Sequence, residues 1–162
     1  MGFFGWLLDI FFPDDENNDK TENETVDENA ITYTVKDSLI TPNEKEFYTA
    51  ICKAVNPERF VVLPQINLAT IIKKTVENKE NVRQNELFRN IDFVIFNKEN
   101  LKPLLCIEIN DNTHNTAKRR YRDYKVKDIC EKAKMPLIRF WTSYGVNQDY
   151  INKTIQANLS KK

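Results

Sequence analysis

The sequence predicts an α/β fold, with a mixed central sheet and helices on its flanks. Two strongly apolar runs, residues 91–96 and 104–109, bracket the polar segment 97–102, the pattern of a β-hairpin with a loop of several residues. Both faces of this hairpin are apolar, which puts it in the middle of a sheet covered on both sides. Helical and strand patterns alternate around it. The chain of 162 residues holds only three glycines, too few for a turn-dense all-β architecture or for Gly-rich phosphate loops. Its length suits one domain with a single sizeable core.

Taken in order, residues 2–12 (GFFGWLLDIFF) are almost wholly apolar yet far short of the ~20 residues that a membrane span needs. They lack the basic n-region and small-residue cleavage site of a signal peptide, and Trp6 breaks the myristoylation pattern that Gly2 would begin. Two readings stay open: contact with a membrane surface or a protein partner, or packing on the chain's own domain. Residues 13–38 read as an acidic, disordered linker, with a short strand-like run at 30–35, and the domain proper is expected at 39–162.

Thr41-Pro42-Asn43-Glu44 is a helix start, with Thr41 as cap, Pro42 at the first helical position and Glu44 closing a capping box. Phe47, Ile51, Ala54 and Val55 follow at helical spacing, and Asn56-Pro57 ends the run. Residues 59–66 (RFVVLPQI) read as a strand in which Pro64 marks an end or an edge. The charged stretch 68–89 is expected to be helical in part. Beyond the hairpin, residues 115–134 form a helix rich in lysine and arginine. Its apolar positions are Tyr121, Tyr124, Ile129 and Ala133. Residues 136–141 (PLIRFW) form a further buried strand, and 146–159 a final amphipathic helix. The expected order is therefore α-β-β-β-α-β-α with an insert after the first strand.

Charge is unevenly spread. Residues 14–28 carry eight acids and one lysine, whereas the chain from Asn29 onward has 23 bases against 15 acids. A basic domain suits an anionic partner, nucleic acid being the commonest, although charge kept only for solubility gives the same balance. Three widely spaced cysteines without a CxxC pair predict a reduced, cytoplasmic protein rather than a disulfide framework. A single histidine and no clustered cysteines argue against structural zinc. No nucleotide-triphosphate loop, dinucleotide fingerprint or serine-nucleophile elbow is present, so ATP-driven and acyl-transfer chemistry have no support.

Each hairpin strand bears one carboxylate far from the loop: Asp92 on the first, Glu108 on the second. If the hairpin is symmetric about Asn100, these two oppose one another on one face. There, Cβ atoms lie about 4.5–5.5 Å apart and like charges repel. A divalent cation would cancel that repulsion, and a solvated sheet end is the alternative. Trp141, Tyr121 and Tyr124 could stack on bases, but aromatics beside apolar strands are more often core.

Asp92, the spaced Glu108 on the next strand and the basic helix after it resemble the pattern of the PD-(D/E)XK nuclease superfamily. The blocks TPNEKEFY, LPQINLA, IDFVIF, CIEINDNTHN, KRRYRDYK and MPLIRFW occur in order. They resemble a bacterial domain family of unknown function related to very-short-patch-repair endonuclease-like proteins, over roughly residues 39–141. The resemblance implies a restriction-endonuclease-like core and a nuclease acting on DNA or RNA. It implies Asp92 and Glu108 as ligands of Mg²⁺ or Mn²⁺, with the Ile109 carbonyl and water completing an all-oxygen shell. Glu44 matches the acid of the first helix, a role it shares with its capping box. Asn110 stands where the superfamily pattern has lysine; Arg119, Arg122 or Lys125 would then supply the missing cation. Lys118, Arg119, Arg122 and Lys125 are the expected grip on phosphates, with pairing inside the helix as the alternative. His114 matches the histidine of E-x-[DN]-D-x-x-H and is the candidate general acid or base. Gln65, Asp111 and Arg139 are expected to support the ligands. A non-catalytic nucleic-acid-binding module on the same fold is the competing expectation.

Overall fold

The computed structural model describes residues 32–79, 82–111 and 117–160, without the side chains of 117–119. Met1–Val35 and Lys36–Lys162 are separate units. Of the first, only residues 32–35 are described. The strand-like run expected at 30–35 does not form there: no strand is assigned, and Tyr33 and Val35 are 92% and 96% exposed. Among the described residues no strand pairs with it, and β-branched residues alone do not make a strand. The expectations for residues 1–12, and for most of 13–38, lie outside the described residues.

The second unit is an α/β sandwich. Helix α1 (Pro42–Ala54) leads into strand β1 (Phe60–Asn67), then β2 (Asn90–Asn97), β3 (Pro103–Asn110), helix α2 (Ala117–Lys132), β4 (Leu137–Trp141) and helix α3 (Gln148–Leu159). The sheet order is β1-β2-β3-β4. The first three strands are antiparallel neighbours and β4 runs parallel to β3. A parallel neighbour needs a crossover, which α2 provides. The hairpin thus supplies the two inner strands. Pro64 lies in edge strand β1, where its missing N–H costs no ladder bond.

Helix α1 starts as its sequence dictates. The Thr41 hydroxyl oxygen accepts from the Glu44 N–H at 3.3 Å. In return Glu44 Oε2 accepts from the Thr41 N–H at 2.7 Å and from its hydroxyl at 2.8 Å. Phe47, Ala50, Ile51 and Ala54 form its buried stripe. They meet Ile151 and Ile155 of α3 and the sheet residues Phe93, Ile95, Leu105, Ile107 and Phe140 on one face. On the other face Val94, Phe96 and Cys106 pack with Val126, Ile129 and Cys130 of α2.

Four expectations need correction. The stretch 68–89 forms two short 3₁₀ turns, Leu68–Thr70 and Asn85–Leu87, and no α-helix among its described residues. It is charged without a helical apolar stripe, so nothing repays a longer helix by burial. Strand alternation predicts Ile91 on the face of Phe93; it joins the α2-side cluster instead, because Leu68 and Leu87 from those turns cover the start of β2. Tyr121, Tyr124 and Ala133 are exposed, and Val126, Ile129 and Cys130 are the buried face of α2. Strand β4 lies at an edge: only Phe140 is buried, and Trp141 is exposed.

Candidate functional site

The hairpin register fixes the site. Phe93 pairs with Ile107, Val94 with Cys106 and Ile95 with Leu105, symmetric about Asn100; the slip from bulging comes only at Ile95/Phe96, near the loop. The ladder ends at the Phe93–Ile107 pair, and Asp92 and Glu108 are the next residues outward on their two strands, close enough for the charge of Glu108 to act on Asp92. On the other side, Pro64 pairs with Phe93 and Ile66 with Ile91, so Gln65 stands opposite Asp92. In the parallel ladder Glu108 pairs with Arg139. Gln65, Asp92, Glu108 and Arg139 therefore form a row across all four strands.

Each member of that row is held. Asp92 Oδ2 accepts from the backbone N–H of Ile109 at 2.7 Å, a side-chain bond just past the end of the ladder. Glu108 is the only charged residue in the core among the described residues, 8% exposed. Its Oε2 accepts from Arg139 Nε at 3.0 Å, while Arg139 Nη2 donates to the Asp123 carbonyl of α2 at 2.9 Å. One guanidinium thus ties the buried acid to the basic helix. Gln65 has φ 53°, a left-handed conformation for a non-glycine residue. Its Nε2 lies 3.5 Å from Glu44 Oε1, which draws the first turn of α1 toward the row.

Burial dominates the electrostatics. It pushes the Asp92 carboxyl up to about 6, helped by negative Glu44 and Glu108 and opposed by the Ile109 N–H bond and by Arg122. Glu108 is also raised by burial; the charge and hydrogen bond of Arg139 work against this. Two neighbouring acids that the fold holds above the ordinary carboxylate range mark a candidate functional site.

The structure brings together Glu44, Gln65, Asp92, Glu108, Arg122 and Arg139, which are far apart in the chain. Asn110 ends β3, half-buried, beside Trp141 of β4. Half-buried Asp111 follows directly. Arg122 is largely exposed and 3.8 Å from Asp123. Lys125 lies over the Tyr121 ring, 5.7 Å from its centroid. Lys127 pairs with Glu131 at 3.6 Å. His114 and the side chains of Lys118 and Arg119 lie outside the described residues. The cation bonded to Glu108 is Arg139, from the adjacent strand. Among the cations expected to fill the lysine slot, Arg122 acts on the acids only at longer range.

Asp123 had no expected part beyond pairing within its helix. Its carbonyl anchors Arg139 and its charge acts on Glu108, a role that depends on how α2 lies on the sheet and leaves no trace in local sequence. Among the described residues, no three His, Cys, Asp or Glu side chains gather into a complete metal-binding group. The contacts above engage one oxygen of each carboxylate, so the donor chemistry fits a hard divalent ion held by Asp92 and Glu108 with water in the remaining positions.

The family model described as protein of unknown function (DUF2726) matches residues 36–159. No curated protein matches the chain, and no solved structure does.

Proposed function

The chain belongs to the DUF2726 family, and we propose that it is a divalent-metal-dependent nuclease with a restriction-endonuclease-like core, hydrolysing phosphodiester bonds of DNA in the cytoplasm. The observation that carries this reading is the pair of neighbouring acids, half-buried Asp92 and buried Glu108, with a basic helix beside it. Asp92 and Glu108 would hold Mg²⁺ or Mn²⁺. When bound, that ion supplies positive charge to the phosphate and lowers the pKa of a coordinated water.

The remaining work falls to the chain's own residues. The Ile109 N–H holds Asp92 in one rotamer, and Arg139 does the same for Glu108, so neither carboxylate needs reorganising to receive a cation. Arg139 also supplies fixed positive charge near the Asn110 position, where the resembling superfamily has lysine. Glu44, next to Gln65, would orient a water by hydrogen bonding. Lys118, Arg119, Arg122 and Lys125 would bind phosphates, and His114 would give a proton to the leaving oxygen.

Purified full-length protein with Mg²⁺ or Mn²⁺ is expected to cleave DNA, and Asp92→Ala and Glu108→Ala each to abolish cleavage while the circular-dichroism spectrum is kept. Absence of cleavage on single- and double-stranded DNA and on RNA defeats the catalytic reading. A second reading, a nucleic-acid-binding module without catalysis, draws on the Arg139–Glu108 pair, which already neutralises one of the two acids. Salt-dependent binding with no response to metal at Asp92 or Glu108 would favour it. Residues 2–12 would add a weak membrane or protein contact.

A further inference from the structure

At the free edge of β4 lies a cavity of about 330 Å³ whose walls are mostly aromatic: Phe47, Phe140, Trp141, Tyr144 and Tyr150, with Asn147 at its rim. The core side is ordered by ring contacts. Phe47 and Phe140 stack at 6.2 Å, and Tyr150 meets Phe140 edge-on at 6.0 Å. The outer side is open: Tyr144 is 84% exposed, held out by the 3₁₀ turn Thr142–Tyr144 and by Gly145 at φ 63°. An aromatic side chain left in water beside a cavity is the form of a surface waiting for a flat partner.

The chemistry of the lining narrows that partner. Among the described residues no acid borders the cavity and its only charged neighbour is Arg139, so a cationic ligand finds no counter-charge there. The volume holds one small planar group and not a duplex. Location completes the case. Trp141 is the register partner of Asn110, and Asn110 lies two residues beyond Glu108 on β3. Arg139, which bonds Glu108, also borders the cavity. With strands about 4.8 Å apart and about 3.3 Å of rise per residue, the Trp141 backbone lies roughly 8 Å from that of Glu108 along the sheet. That is the scale of one or two nucleotides.

We infer that this cavity seats one unpaired nucleobase of a strand whose phosphate lies at Asp92 and Glu108, so that the substrate class is single-stranded or locally unpaired nucleic acid. The inference deepens the proposed function and rests on its assignment of the acids to a phosphodiester. Stacking between Trp141 and Tyr144 supplies affinity without demanding one base, since every base has a π-face. The Tyr hydroxyls and the Asn147 amide meet its polar edge.

The test uses the full chain in EDTA, where binding is read without cleavage. Fluorescence anisotropy compares a labelled oligothymidylate, an abasic strand with the same phosphates, and a blunt duplex. The oligothymidylate is expected to bind about tenfold more tightly than the abasic strand, in keeping with one stacked base. Tyr144→Ala and Trp141→Ala should each remove most of that margin with abasic binding unchanged, and Trp141→Phe should keep it. In a Trp6→Phe background, the oligothymidylate should also quench Trp141 emission. Equal affinity for the oligothymidylate and the abasic strand overturns the inference, as does an equal loss on all three probes in Tyr144→Ala protein that melts like the wild type. Base-dependent binding without metal-dependent cleavage defeats the nuclease reading and upholds the cavity; cleavage with no base preference does the reverse.

Discussion

Asp92 is where local sequence and fold meet most tightly. Its carboxylate accepts the Ile109 N–H and feels the charges of Glu44, Glu108 and Arg122. Burial raises its pKa to about 6 from the ordinary aspartate value of about 3.8, so the folded state binds this proton more tightly than the unfolded state. Between those values the unfolded chain holds fewer protons, and stability from this group falls as pH rises from about 4 to about 6, then levels off. The difference corresponds to about 3 kcal/mol at most. Asp92→Asn keeps an acceptor for the Ile109 N–H and removes the charge. Urea unfolding is expected to show the variant more stable than wild type at pH 7.5 by roughly 1–3 kcal/mol, with the gap closing near pH 4. An unchanged gap across that range would show that Asp92 is not desolvated in the fold. The capping box at Thr41 and Glu44 was readable residue by residue because every partner lies within four positions. The Gln65–Glu44 approach was not, since it requires the left-handed turn at Gln65 to aim the amide across the strand.

At the level of elements, the antiparallel hairpin was legible and the parallel neighbour was not. Symmetry about Asn100 fixes which residues of β2 and β3 face each other, because the polar loop is short and the apolar runs flank it. Nothing comparable sets the offset of β4, whose register depends on the length and seating of α2. The pairing of Glu108 with Arg139 thus emerges only in three dimensions. In helix α2 the amphipathic tyrosines Tyr121 and Tyr124 keep their rings in water, and Val126 and Cys130 fill the buried face. The link between β3 and β4 has a measurable consequence. Arg139→Ala strands Glu108, 8% exposed, without its counter-charge, and is expected to cost about 3 kcal/mol at pH 7.5. Glu108→Gln in the same chain should recover at least about 1 kcal/mol of that loss, seen as coupling in a double-mutant cycle. Strict additivity would assign the pair no structural weight.

Over the whole molecule, no helix among the described residues is long and apolar enough to cross a membrane. The α/β class followed from the alternation of patterns, while the aromatic cavity went unseen. Its signal was present, four aromatic residues between Phe140 and Tyr150, but the rings gather only once Phe47 arrives from α1. Charge is the other property of the whole chain. Acidic residues 14–28 precede a unit, Lys36–Lys162, with an excess of eight positive charges. Removing residues 1–35 is expected to leave the second unit folded. On the proposed function it should also tighten nucleic-acid binding severalfold at low salt, because the chain then carries a larger net positive charge. Anisotropy titrations over a range of salt concentrations would check this; identical affinities would separate the acidic stretch from the binding face.

The symmetric hairpin also determines which changes this architecture tolerates. The acids stand at one end and residues 97–102 at the other, with a bulge absorbing irregularity beside the turn. Lengthening that turn, for example to carry a tag, leaves the proximity of Asp92 and Glu108 intact. A single residue added within β3 between Leu105 and Glu108 rotates the glutamate to the opposite side of the sheet. Evolution can therefore vary the tip of this hairpin freely while its stem stays fixed in length.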